Sequence, residues 1–244
     1  MTSQPNAPLP LVSVVVPTYR EAGNLPILIE RVFAAMDGAS LSAEMVVVDD
    51  DSRDGADGIV AHAAQRHAVR LIVRQNERGL SSAVLRGFEQ ARGDLLVVMD
   101  ADLSHPPERI PDLVRPVQDG TADFTIGSRY AAGGQTVNWG LLRQLNSKVA
   151  TWLARPLTRV ADPMSGFFCL RRRTWQAVAD RLNPLGYKIA LELIVKADLR
   201  RVVEIPITFS DRLHGKSKLT VGQQLQYLRH LLRLYRYRWS RRDR

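Results

Sequence analysis

Four short polar strings each follow an apolar run: Pro17-Thr18-Tyr19-Arg20-Glu21, Asp49-Asp50-Asp51-Ser52, Asp100-Ala101-Asp102 and Gly127-Ser128-Arg129-Tyr130. Three of them present carboxylates, which is unexpected in a chain of formal net charge +9. Asp100 and Asp102, one residue apart, can converge on one hard divalent cation, Mg2+ or Mn2+, which prefers oxygen ligands and bridges phosphates. The competing reading is a turn whose aspartates cap the next helix. Asp50 and Glu21 at neighbouring strand ends favour the shared cation site.

Something must bring those strings together. Leu11–Val16, Met45–Val48, Val69–Val73, Leu95–Met99 and Asp123–Ile126 read as apolar strands. Helical patterns separate them: one after Asn24 as a cap, with Leu25, Leu28, Ile29, Val32, Phe33 and Met36 on its apolar face, one over Gly79–Ala91, and one opening at Pro107. Fully apolar strands alternating with helices imply an α/β fold with a mainly parallel central sheet flanked by helices. Ligands bind such sheets outside the carboxyl ends of the strands, where the four strings lie. Past residue 130, Trp139–Leu153 and Tyr187–Leu199 read as helices, Val202–Phe209 as strand-like and Val221–Trp239 as a long basic amphipathic helix.

The chain has 244 residues, 45% apolar and 24% charged, which fits one globular α/β domain with some added structure. We expect a disordered lead-in over 1–10, a catalytic domain over 11–220 and a basic amphipathic helix and tail over 221–244. The lone Cys169 excludes an intrachain disulfide, points to a reducing compartment and sits in an apolar run as a core residue. No apolar run approaches the roughly 18 residues of a membrane span, and the first ten residues lack a secretory pattern. The expectation is a protein peripheral on the cytoplasmic face of a membrane. Its positive charge, with Arg229, Arg233, Arg236, Arg238, Arg241, Arg242 and Arg244 at one end, calls for an anionic partner.

The strings V-V-V-P-T-Y-R-E, V-V-V-D-D-D-S-R-D-G, N-E-R-G-L-S-S-A-V-L-R-G-F and V-V-M-D-A-D-L-S-H-P-P-E occur here in that order. With S-G-F-F at 165–168 and R-L-H-G-K-S-K at 212–218, the chain resembles the family 2 glycosyltransferases of GT-A fold. More narrowly it resembles the dolichyl-phosphate, or polyprenyl-phosphate, mannosyltransferases, over roughly residues 11 to 220. The resemblance implies inverting transfer of mannose from GDP-mannose to a polyprenyl phosphate. Glucosyl transfer from UDP-glucose to the same kind of lipid is the closest alternative. By the same resemblance Pro17, Tyr19, Glu21, Val48 and Asp50 line the base and ribose pocket, with Asp50 on the base edge. Asp100, Ala101 and Asp102 form the D-x-D element; Asp102 binds the metal, Asp100 helps hold metal or ribose, and Ser104 is a further candidate ligand. Arg129 and Arg143 hold the acceptor phosphate, while Arg212 and Lys218 close over the donor diphosphate. His105, followed by Pro106-Pro107, reads as structural. Asp51 departs from the Gly or Asn common at that position; if positive φ is needed there, Asp tolerates it next best.

A lipid acceptor requires a membrane surface. Trp139, Leu142, Leu145, Val149, Trp152 and Leu153 form one candidate interfacial face, flanked by Arg143, Lys148 and Arg155. Leu225, Leu228, Leu232, Tyr235 and Trp239 form another among the C-terminal arginines. Either stripe also suits packing on the core. A small membrane-anchoring partner is a further possibility. A nucleic-acid partner fits the net charge but not the carboxylate-lined strand ends, and no G-x-G-x-x-G follows the first strand to suggest a dinucleotide enzyme.

Overall fold

A computed structural model describes residues 11–137, 139–183, 185–186, 188–210 and 221–242. Its main sheet has seven strands: β1 (Val12–Thr18), β2 (Ala43–Asp49), β3 (Val69–Val73), β4 (Leu95–Val98), β5 (Phe124–Ser128), β7 (Phe168–Arg171) and β8 (Val202–Pro206). The spatial order is β3-β2-β1-β4-β7-β5-β8. Strands β3, β2, β1 and β4 are parallel, as the alternation of strand and helix predicts. Beyond them β7 runs antiparallel between β4 and β5, and β8 pairs parallel with β5. The antiparallel β7 is a departure: its sequence reads only as an apolar core run around Cys169. Two short strands, β6 (Gln135–Thr136) and β9 (Thr208–Phe209), form a second small sheet.

Both faces of the sheet are covered, which explains why β1 is buried at all seven positions. Alternate residues point to opposite faces. Val12, Val14 and Val16 meet Leu28, Val32 and Met36 of α1 (Leu25–Gly38) and Leu113 and Val117 of α4 (Ile110–Gln118). Val15 meets Val84 and Phe88 of α3 (Leu80–Gln90) on the other face. Gly87 lets α3 approach that closely, for a Cβ there would collide with the Val15 side chain. Two helices fall outside the sequence reading: α2 (Ala56–Ala63) and α6 (Arg172–Gln176). Pro107 opens a 3-10 turn, Pro107–Arg109, before α4 begins. Asn24 stands at the start of α1 but makes no capping bond; its amide donates to Glu21 Oε2 at 2.6 Å.

The C-terminal third packs on the mixed side of the sheet. Ala154 of α5 (Leu141–Ala154), Leu191 and Val195 of α7 (Ile189–Lys196), and Leu231 and Leu234 of α8 (Val221–Arg242) share a cluster. Tyr227 and Tyr235 of α8 donate through their hydroxyls to the Ala150 and Leu153 carbonyls, each at 2.6 Å. The core stripe of α8 is therefore Leu231 and Leu234. Leu225, Leu228, Leu232 and Trp239 stay exposed, while Tyr235 is half-buried against α5. Leu145, Val149 and Trp152 of α5 are exposed as well. Trp139 does not join them. It lies before α5, buried against Phe209 with ring centroids 5.6 Å apart.

Candidate active site

The D-x-D string leaves β4 in a tight turn. Ser104 N–H donates to Asp102 Oδ1 at 3.1 Å, and Leu103 sits at φ 60°, a costly conformation for a bulky residue. The turn is wedged by His105, whose Nδ1 accepts the Asp100 N–H at 3.3 Å. Its ring stacks on Phe167 at 5.2 Å and meets the edge of Phe209 at 5.2 Å. Burial pushes the imidazole below its usual range, against the pull of Asp100 and Asp102. A neutral, packed, hydrogen-bonded ring is a structural histidine. Asp102 is buried and Asp100 half-buried; Gly166 lies so close that a Cβ on it would stand 3.2 Å from Asp100 Oδ1.

The turn suits a hard cation. Asp100 and Asp102 supply carboxylates, and the buried Ser104 Oγ has no hydrogen-bond partner among the described residues. No group of three or more His, Cys, Asp or Glu gathers for a metal among the described residues. Two carboxylates and a hydroxyl leave coordination positions to phosphate oxygens and water, the pattern Mg2+ favours.

The ends of β1 and β2 form the neighbouring wall. Pro17 and Val48 are partners in the β1–β2 register and both are buried. Val48 is wholly enclosed in the core, so it can line a pocket only through its main chain. Tyr19 is half-buried, with the Arg20 and Arg78 guanidiniums 5.2 and 4.9 Å from its ring centre. Asp50 is engaged within the protein. Its Oδ1 accepts Arg74 Nε at 2.8 Å and also Nη2, and its Oδ2 accepts the Gly79 N–H at 2.8 Å. Arg74 in turn donates to Ser82 Oγ at 2.9 Å and Gly79 O at 3.0 Å. The pair thus fastens the loop before α3, which carries Arg78, to the end of β2. Asp51 adopts φ 53°, so its position does require the left-handed conformation that Asp tolerates after Gly and Asn, and it pairs on the surface with Arg53, which lowers its pKa.

Arg129 directly follows β5. Asp162 grips it with three bonds: Nε to Oδ2 at 2.6 Å, Nη2 to Oδ1 at 2.6 Å and the Arg129 N–H to Oδ2 at 3.0 Å. Trp139, Phe209 and Tyr130 surround the guanidinium with ring centres 5.0, 5.3 and 5.6 Å away. Burial disfavours its charge, but Asp162 more than offsets this and its pKa rises. Asp162 is itself fully buried, and Glu204 fixes its main chain by accepting the Ala161 and Asp162 N–H groups at 2.8 and 3.1 Å.

The structure thus brings Asp100, Asp102, Ser104 and Arg129 to neighbouring loops at one end of the sheet, with Asp100 and Arg129 within electrostatic reach of each other and Tyr19, Glu21 and Asp50 after the adjacent strands β1 and β2. Arg143 belongs to α5, but its side chain lies outside the described residues, as do Arg212 and Lys218 entirely. Arg74 and Asp162 are absent from the sequence reading. Arg74 follows an apolar strand directly, and that adjacency was its only signal. Asp162, 33 residues from Arg129, had none beyond a solitary acid before Pro163.

Residues 13–176 match the family described as Glycosyl transferase family 2. A dolichol-phosphate mannosyltransferase of Pyrococcus furiosus is 46% identical over 93% of this chain, which spans 64% of that relative's length. The protein of the same name from Saccharomyces cerevisiae is 45% identical, with 93% of this chain and 88% of the relative covered. Among solved structures, mannosyl-3-phosphoglycerate synthase from Rubrobacter xylanophilus shares the fold at TM-score 0.71 and 22% identity, over 92% of this chain and 73% of that one. A mannosyltransferase from Pyrobaculum calidifontis in complex with GDP-Man and Mn2+ does so at TM-score 0.58 and 18% identity, over 92% and 65% of the two chains. The chain therefore belongs to glycosyl transferase family 2.

Proposed function

We propose that this enzyme transfers mannose, with inversion, from GDP-mannose to a polyprenyl phosphate at a membrane surface. One juxtaposition carries the reading: an oxygen-rich D-x-D turn stands within electrostatic reach of an arginine held by a buried carboxylate and aromatic rings. The first is suited to a metal-bound diphosphate and the second to another phosphate. The names of the curated relatives support mannose and a dolichol-type acceptor.

Asp100, Asp102 and Ser104 would hold Mg2+ or Mn2+, which when bound neutralises the departing diphosphate. Pro17, Tyr19, Glu21 and the Val48 main chain take the nucleoside, and Asp50 acts there both directly and by fixing the Arg78 loop through Arg74. Arg212 and Lys218 close over the diphosphate. Arg129 and Arg143 orient the acceptor phosphate, Arg129 with its planar fork already set by Asp162. That phosphate is ionised at neutral pH, so attack on the anomeric carbon needs positioning and charge stabilisation but no strong base.

The membrane surface is met by α5 and α8 together. Trp152 and Trp239 are 72% and 65% exposed, and they share these packed helices with Leu145, Val149, Leu225, Leu228 and Leu232. Exposed Lys148, Arg229, Arg233 and Arg236 lie among them, as anionic headgroups would require. No helix among the described residues is long and apolar enough to cross a membrane. We place the enzyme on the cytoplasmic face, with or without a small anchoring partner.

The test is transfer of labelled hexose from GDP-mannose or UDP-glucose to polyprenyl phosphate with Mg2+ or Mn2+. Mannolipid that disappears on metal removal upholds the reading. Glucolipid corrects the donor, and labelled lipid from neither donor overturns it.

A further inference from the structure

Across the sheet the strands run β2, β1, β4, so Asp50, Tyr19 and Asp100 follow neighbouring strands in that order. Arg78 is anchored on the β2 flank of this row. The next residue, Gly79, donates its N–H to Asp50 Oδ2 at 2.8 Å, and its carbonyl accepts Arg74 Nη2 at 3.0 Å. Gly79 holds φ 141°, which residues with side chains rarely adopt, so this bend after Arg78 is built on a glycine. The Arg78 guanidinium lies 4.9 Å from the Tyr19 ring centre. Arg53, and after it Arg78, favour the charged form of Asp51. An exposed arginine thus has its main chain tied beside Asp50 and its head group resting on Tyr19.

We propose that Arg78 selects the base of the donor, its guanidinium donating a bidentate pair of hydrogen bonds to O6 and N7 of guanine. The inference rests on the function proposed above and names a residue that makes the donor GDP-linked instead of UDP-linked. Asp50 is poorly placed to make that choice. A carboxylate accepts at about four lone-pair positions. Arg74 takes Oδ1 twice, and the Gly79 N–H takes Oδ2. What is left accepts one N–H, and guanine N1–H and uracil N3–H meet it equally. The bases differ on the next edge. Guanine carries the adjacent acceptors O6 and N7, uracil only O4, and adenine an acceptor beside a donor. A guanidinium fork matches the guanine edge alone. Its donors lie along the edge of its plane while its face rests on Tyr19, so the cation–π contact and the base contact use different parts of one group. A diphosphate also suits a guanidinium, but the proposed function places it at the D-x-D turn after β4, and β1 separates that strand from the Arg78 anchor at β2. The competing role is structural, with Arg78 covering Tyr19 and no more.

The test measures binding of GDP, 7-deaza-GDP and UDP with Mn2+ by calorimetry, for the full chain as wild type and as Arg78→Met. The deaza compound carries C–H in place of N7 and so lacks one of the two acceptors. Wild type should bind GDP about tenfold or more tightly than UDP and lose about threefold to tenfold on the deaza change. Arg78→Met should bind GDP about tenfold more weakly, respond less than about twofold to the deaza change, and bind UDP within about threefold of wild type. A guanine preference and a deaza penalty that survive in Arg78→Met overturn the inference. So do equal losses for GDP and UDP, which put Arg78 on the diphosphate or in the support of its loop. Wild type without a preference for GDP overturns the proposed donor and this inference with it. Wild type that prefers GDP yet transfers no mannose to polyprenyl phosphate overturns the proposed function alone, and loss of that preference in Arg78→Met still upholds the role of Arg78.

Discussion

The two halves of the sheet build the candidate site by different means. In the parallel half, β3-β2-β1-β4, each polar group sits directly after its strand, so the strand register alone aligns Tyr19, Asp50 and Asp100. In the mixed half, β7-β5-β8, Arg129 also follows a strand, but Asp162 and Trp139 that set it come from connecting segments. The parallel half displays carboxylates held by groups close at hand, Glu21 by the Asn24 amide, Asp102 by the Ser104 N–H and Asp50 by the buried Arg74. The mixed half displays an arginine whose orientation depends on a long-range acid. A site of opposed charges can thus be assembled from one sheet, provided each half is neutralised separately.

The sharpest break in that scheme is removal of the carboxylate closest to the chemistry. Asp102→Ala should lower mannosyl transfer on the order of a thousandfold, the scale of losing one preorganised contact to developing charge. Thermal unfolding should shift little in the absence of metal. A variant retaining transfer within about tenfold would remove the D-x-D turn from the mechanism.

Next in size are the two buried ion pairs, which should fail differently. Asp162→Ala strands Arg129 in a buried site and should cost about 3–5 kcal/mol of stability, read by denaturant unfolding. Asp162→Asn, which keeps the shape, should raise the acceptor KM and leave the donor KM near wild type. Asp50→Asn should do the opposite, because its partner Arg74 fastens the donor-side loop. Crossed effects uphold the division of labour; matching effects on both substrates erase it.

That division also explains what was legible in the sequence. The parallel half reads well because apolar strands with a polar residue after each one form a local pattern, and β3 matches its expected Val69–Val73 bounds. The D-x-D turn was legible for the same reason. The antiparallel β7 was not, since an apolar run carries no mark of direction. Asp162 and Arg74 escaped because an ion pair between distant residues leaves no local trace. The tryptophans of the third beyond residue 130 illustrate this too: Trp139 and Trp152 share a plausible helical stripe, yet one is buried against Arg129 and the other is 72% exposed. Only tertiary packing separates them.

The membrane surface predicts a smaller effect, confined to lipid. Trp152→Ser and Trp239→Ser should each weaken binding to vesicles of anionic lipid by about tenfold, near the cost of removing one large apolar side chain from an interface. Transfer to a short-chain soluble prenyl phosphate should be unchanged. A loss of soluble-substrate activity equal to the loss of vesicle binding would show that these tryptophans support the fold instead.

The smallest effect concerns the helix that links this surface to the mixed half. His230 of α8 is 2% exposed and faces Glu192 and Lys196 of α7, with Arg233 nearby on its own helix. Burial lowers its pKa, and Lys196 and Arg233 act in the same sense against Glu192. His105, under the D-x-D turn, is likewise lowered by burial. For both, the unfolded chain takes up the proton first as pH falls through about 6.5. Stability is therefore intact above that value and declines below it, towards the depressed folded-state pKa. Each histidine contributes at most about 1.4 kcal/mol per pH unit within that window. Unfolding followed from pH 7.5 to 5.5 should show this decline, and His230→Gln should make it shallower without altering transfer to a soluble acceptor at neutral pH. An unchanged slope in that variant would mean that Glu192 holds the His230 proton in the folded chain, and that α7 and α8 are joined by an ion pair and not by a neutral contact.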